Sequence, residues 1–196
     1  MSYEDYRRTQ LADGQLYQDF VVDVAWQAGI AIAQYASKAY QFAVGESRGG
    51  YEIKHDKRFV ETGNLCIETA EKARPRSGPY APAGIMRDGH WLYVIGNYDV
   101  VYFFANKLLR MLSAAKGAEG RPRYRHYEIA TSQGFLLPRA DAEKYAALVL
   151  RPDASGKVSK LVGDLEELAR QFHADIQVGP TQHSLFAEGM AGRVTL

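Results

Sequence analysis

Glu52, Lys54 and Asp56 stand on alternate positions, and Glu68 follows twelve residues beyond the aspartate, all within the stretch GYEIKHDKRFVETGNLCIETAEK. Alternation at period two sends the first three to one face of a strand. Carboxylates with an ammonium beside them suit a hard divalent cation, Mg2+ or Mn2+, held through oxygen ligands. Such a cation polarises a phosphoryl oxygen and acidifies an attacking water. A positive side chain then steadies the charge that develops at phosphorus. The plain alternative is a solvated face of an antiparallel sheet. Glu68 weighs against it. It follows the apolar run Leu65-Cys66-Ile67, which predicts partial burial, and a buried carboxylate needs a cation, a proton or strong donors.

Those residues need a scaffold, and the totals allow one. With 196 residues, 46% of them hydrophobic, the chain can bury one core with a small appendage. The formal net charge of +1 removes any global pull toward nucleic acid or membrane, so attraction must come from local patches. The single cysteine, Cys66, rules out an internal disulfide framework and fits a reducing cytoplasm. Its apolar neighbours mark it as packing rather than as a nucleophile. No apolar run is long enough to span a bilayer, and MSYEDYRRTQ does not read as a signal peptide. We therefore expect a cytoplasmic protein.

Along the chain, helical spacing over 15–28 places Asp19 and Asp23 on one helix face. Residues 29–47 read as an irregular strand. YEIKHDKRF and NLCIETAE read as strands joined by the hairpin-like ETGN, and HWLYVIG and VVYFFA as a second hairpin. NKLLRMLSAA is amphipathic, YRHYEIA is strand-like, GFLLPRADAEKYAALVL leads into a helix, and KLVGDLEELARQFHADI reads as another. This order predicts an α/β or α+β domain around a mixed sheet. The boundaries expected are a domain over 1–150, a helix over 151–178 and a flexible tail over 179–196.

The run GES..GYEIKHDKRF..TGNLCIE resembles the core of the PD-(D/E)XK nuclease superfamily, in particular its small phage and bacterial members. The resemblance covers about residues 15 to 138, SQGFLLP included. It implies a restriction-endonuclease-like central mixed β-sheet flanked by helices, and a Mg2+- or Mn2+-dependent deoxyribonuclease. By position, Asp56 would be the bridging aspartate, Glu68 the acid of the next strand, and Asp19, or Asp23, the helix acid. The family places a lysine two residues after the second acid, where this chain has Ala70; Lys54 would supply that charge instead. Glu52 is a further ligand candidate. In a second register, Glu52-Ile53-Lys54 is itself the E-x-K element, with Glu46 as the preceding acid. A relative that keeps the fold and does not cleave DNA would look similar. Phosphate contacts are expected from Lys72, Arg74 and Arg76, and from Arg121, Arg123 and Arg125 among the tyrosines of GAEGRPRYRHY.

Near the end, Gln182-His183-Ser184-Leu185-Phe186 resembles the bacterial sliding-clamp-binding peptide, Q-x-(S/D)-L-F. Leu185 and Phe186 are adjacent apolar side chains in a polar segment, suited to a hydrophobic pocket, with Gln182 hydrogen-bonding beside it. The partners implied are DNA and the clamp of DNA polymerase III, as in replication or repair, and tethering there would let a nearly neutral protein work on DNA.

Overall fold

The computed structural model describes residues 3–32, 50–72, 74–75, 78–87 and 89–162. It is a mixed α/β structure with two sheets. Helix α1 spans Tyr3–Gln27, beginning well before the periodic stretch that announces it. Strand β1 is Tyr51–His55, and β2 is Asn64–Glu71. Between them lies a single helical turn, α2, Phe59–Thr62. Strand β3 is Ala81–Pro82, β4 Leu92–Gly96 and β5 Val101–Ala105, with helix α3 at Asn106–Ala114. Strands β6 (His126–Glu128) and β7 (Ser132–Pro138) follow, then helix α4 (Arg139–Tyr145), β8 (Leu148–Pro152) and β9 (Val158–Val162).

The five-stranded sheet has the order β1-β4-β5-β8-β9, and the four-stranded sheet the order β3-β2-β7-β6. Among the described residues only the β1–β4 pair is parallel, which makes the larger sheet mixed. The β4–β5 hairpin matches its sequence signal. The expected pairing of β1 with β2 does not form: the two strands belong to different sheets. The reason lies in DKRFVETGN. Asp56 ends β1 by accepting the Arg58 amide (3.1 Å), an Asx turn that the strand cannot pass. One turn of helix follows, and Gly63, in the left-handed region at φ 65°, donates its amide back to Phe59. Thr62 and Asn64 then hydrogen-bond across that glycine. The TGN triplet is thus the corner between two sheets.

The core fills the space between them. Tyr93 and Ile95 of β4, Tyr102 and Phe104 of β5 and Val149 of β8 form one buried cluster with Leu65 and Ile67 of β2 and Phe135 and Leu137 of β7. Period-two alternation makes both sets possible. On β1, α1 contributes the buried Tyr17, Val21, Val24 and Ala25, and Tyr17 stacks on His55 with ring centroids 4.3 Å apart. Strand β8 crosses position 150, the expected domain limit, and Lys160–Val162 lie in β9 rather than in a helix. The described residues all belong to one compact unit, Met1–Gly163. Of the strand expected over 29–47, residues 29–32 are turn and irregular chain, and the remainder, with the helix beyond 162 and the tail with Gln182, Ser184, Leu185 and Phe186, falls outside the described residues.

Gly134 is demanded by close approach. A Cβ on Gly134, which stands opposite Glu68, would come 2.0 Å from the Ile67 carbonyl oxygen and 2.8 Å from the Tyr127 hydroxyl. Gly134→Ala is expected to cost about 3 kcal/mol through overpacking, visible in thermal denaturation as a fall of roughly 6–12 °C.

Candidate functional site

Glu52 and Lys54 share the face of β1 that looks into the space between the sheets, and the fully buried Tyr93 is the register partner of Glu52 on β4. Glu68 comes from the other sheet. A β-bulge between Glu68 and Ala70 interrupts β2 there, the kind of irregularity that re-aims a side chain. Gly84 packs against the backbone of Glu68 and fixes it from behind.

The side chains meet at Lys54. Its Nζ lies 2.8 Å from Oε1 of Glu52 and 3.3 Å from Oε2 of Glu68. The ammonium thus bridges carboxylates from the two sheets. Exposure grades across the group: Glu52 is at 0%, Glu68 at 17% and Lys54 at 34%. Glu68 Oε1 accepts a hydrogen bond from Ser132 (2.9 Å), and the Ser132 hydroxyl lies 3.4 Å from that of Tyr127. Burial, with the Glu68 charge adding to it and Ser132 opposing, pushes the Tyr127 phenol up to about 12. Glu52 is less well provided. Its contact with Lys54 is an ion pair by distance, and neither of its oxygens has a hydrogen bond of good geometry. The Tyr93 hydroxyl is likewise buried without a partner. Burial, reinforced by the Glu52 charge, raises its pKa well above that of a free phenol, so it stays protonated.

His90, which has no suggestive spacing in the sequence, belongs to this group. Its Nδ1 lies 3.5 Å from Oε2 of Glu52, and its side chain is 8% exposed. It sits just ahead of β4, and the parallel β1–β4 register brings it beside the start of β1 across 38 positions of chain. Burial lowers its pKa, with Arg87, Lys54 and Arg110 adding to the effect and Glu52 opposing. The pKa of His55, on the other face of β1, is also lowered by burial, opposed by the hydrogen bond its ring makes to the Asp13 carboxylate of α1. Both rings therefore favour the neutral form in the fold more than in the unfolded chain. The stability this gives is complete above about 6.5 and is lost as pH falls through that value toward the depressed folded-state pKa. A thermal melt series in acid is expected to show this loss, and His55→Gln with His90→Gln should flatten it.

The other candidates are placed as follows. Asp56 is 7% exposed, but both its oxygens serve the backbone: Oδ1 takes the Arg58 amide, and Oδ2 takes the Cys66 amide at 2.7 Å. It staples the crossover between sheets, where the sequence had suggested a bridging metal ligand. Asp19 is exposed on α1 beside a hollow lined by Asp23, Trp26 and Ile32, and Asp23 accepts from Gln27. The helix acid that reaches β1 is Asp13, which contacts His55 and Lys57. Ala70 pairs with Pro82 and Gln133 just past the bulge. Among the described residues no group of three or more His, Cys, Asp or Glu side chains is placed so that it could hold a metal ion. Burial pushes the Cys66 thiol up to about 11, so it is no nucleophile at neutral pH.

Of the basic residues, Lys72 lies over the Tyr80 ring and Arg74 is exposed, both close after the strand that carries Glu68. Arg121, Arg123 and Arg125 are exposed; Arg121 pairs with Glu119 and Arg123 approaches Asp141. Arg76 and Glu46 fall outside the described residues. Among those residues, no helix is long and apolar enough to cross a membrane. Comparison with protein-family models, with curated proteins and with solved structures finds no match to this chain.

Proposed function

We propose that this protein is a divalent-cation-dependent endonuclease acting on DNA, with Glu52, Lys54 and Glu68 as its working residues. The observation that carries the reading is the meeting of Lys54 with one carboxylate from each sheet, of which Glu52 is wholly buried and without a hydrogen bond. Oε1 of Glu52 already faces the Lys54 ammonium, while its Oε2 is buried without a hydrogen bond, and such an oxygen suits a cation. The donor set, two carboxylates, suits Mg2+ or Mn2+. Glu52 and Glu68 would hold the ion, which supplies Lewis acidity and an acidified water when bound. Lys54, a third exposed, stands where its charge can steady a phosphoryl group entering from solvent. Ser132 fixes the free oxygen of Glu68 and so the direction of its carboxylate.

This reading takes the second register of the sequence motif, with Glu52-Ile53-Lys54 as the E-x-K element. It treats the five-stranded mixed sheet as the counterpart of the restriction-endonuclease-like sheet. Lys72 and Arg74 flank the site as phosphate contacts, and the Gln182–Phe186 segment tethers the enzyme to the sliding clamp in the cytoplasm. A second reading, a non-cleaving DNA- or clamp-binding adaptor, is favoured by Ala70 and by the commitment of Asp56 to backbone amides.

Incubation with supercoiled plasmid and branched DNA separates the two. The nuclease reading expects nicking that requires Mg2+ or Mn2+ and disappears in Glu68→Gln. No nicking under any divalent cation rejects it. Retention on immobilised clamp, compared with the Leu185→Ala, Phe186→Ala double variant, tests the tether; equal retention removes it.

A further inference from the structure

We infer that Arg87 is the arginine that grips the substrate strand, taking a backbone phosphate next to the one that Lys54 meets; this rests on the reading of DNA as the ligand given above. Three observations support it. The first is placement. The connection from β3 to β4 runs from one carboxylate of the site to the other. At its start the Ala83 amide donates to the Thr69 carbonyl at 3.1 Å. Gly84 lies so close to β2 that a Cβ there would come 2.3 Å from the Glu68 carbonyl oxygen. At its end, Nδ1 of His90 lies 3.5 Å from Oε2 of Glu52. Arg87 falls between these two anchors and is exposed, which sets it on the rim of the site.

The second is support. Ala83, Gly84 and Ile85 are buried beneath the rim. The Arg110 guanidinium of α3 donates to the Ile85 carbonyl and, at 2.7 Å, to the Arg87 carbonyl. The Asn106 side chain, from the first turn of the same helix, donates to the His90 carbonyl at 2.8 Å. The main chain is thus pinned on both sides of Arg87, and the backbone that carries its side chain needs no ordering when a ligand arrives.

The third is charge. The bonds of Arg110 go to neutral carbonyls, which leave its positive charge in place. Helix α3 carries Lys107 and Arg110 and no acidic residue, and Lys107 is exposed one turn ahead of Arg110. The charges of Arg87 and Arg110 both reach the His90 ring, beside Glu52. In a chain of net charge +1, attraction to DNA must be local, and these cations gather it at the site. A guanidinium also presents a planar fork that matches two phosphate oxygens.

The test reads binding apart from cleavage. A labelled DNA duplex is titrated with the full chain, in EDTA and in Ca2+, over a range of salt concentrations. Wild type, Arg87→Gln and Arg87→Lys are compared after their melting curves are shown to agree. Arg87→Gln is expected to bind about 10-fold more weakly at low salt, with the slope of log K against log salt smaller by about 0.9. Arg87→Lys should restore the slope, because it keeps the charge, and only part of the affinity, because it lacks the fork. In plasmid nicking, Arg87→Gln should raise KM and leave kcat unchanged. Equal affinity and slope in wild type and Arg87→Gln overturns the inference and leaves the nuclease reading standing, since that is judged by Glu68→Gln. Arg87-dependent binding without nicking under any divalent cation supports the inference and rejects the nuclease in favour of the adaptor. Failure of the wild type to bind DNA overturns both.

Discussion

Lys54→Gln is expected to lower cation-dependent DNA cleavage by about 10²–10³-fold while tightening Mn2+ binding. The two effects run in opposite directions for one reason. The Lys54 ammonium sits between Glu52 Oε1 at 2.8 Å and Glu68 Oε2 at 3.3 Å, so it competes with a metal ion for the same oxygens. Removing it frees both carboxylates and strips the site of the charge that faces phosphate. A variant that merely unfolded the site would lose cleavage and metal binding together. Isothermal titration with Mn2+ beside plasmid nicking distinguishes the outcomes. Weaker Mn2+ binding in Lys54→Gln would contradict the shared-oxygen geometry.

Asp56→Ala is expected to lose about 3 kcal/mol of folding stability, because two main-chain amides, those of Arg58 and Cys66, lose the charged acceptor of their part-buried hydrogen bonds. In a chain of this size that lowers the melting temperature by roughly 6–12 °C. Asp56→Asn keeps one acceptor oxygen and should cost about half as much. Below the melting transition, both variants are expected to keep Mn2+ affinity near that of the wild type. A stable Asp56→Ala protein that no longer binds Mn2+ would return Asp56 to the metal.

These two substitutions mark how far the sequence could be read. Alternation in YEIK located the face shared by Glu52 and Lys54, because period-two geometry is local. The apolar run ahead of Glu68 indicated its partial burial, and the signal of the β4–β5 hairpin was local as well. What was not legible is non-local. An Asx turn at Asp56 and a glycine-capped helical turn send the chain to a second sheet, where a simple hairpin seemed indicated. The bulge past Glu68 depends on β7 as partner. His90 joins Glu52 only through the parallel register of β1 with β4, which leaves no spacing rule in the chain. Asp13, rather than Asp19, meets β1 because α1 begins at Tyr3, upstream of its periodic part.

The central claim is tested most directly by Mn2+ titration of the wild type, Glu52→Gln, Glu68→Gln and Asp56→Asn, each confirmed folded by its melting curve. The account predicts that the wild type and Asp56→Asn bind with similar affinity, while Glu52→Gln and Glu68→Gln each lose binding. Binding lost in Asp56→Asn and retained in Glu52→Gln would contradict it.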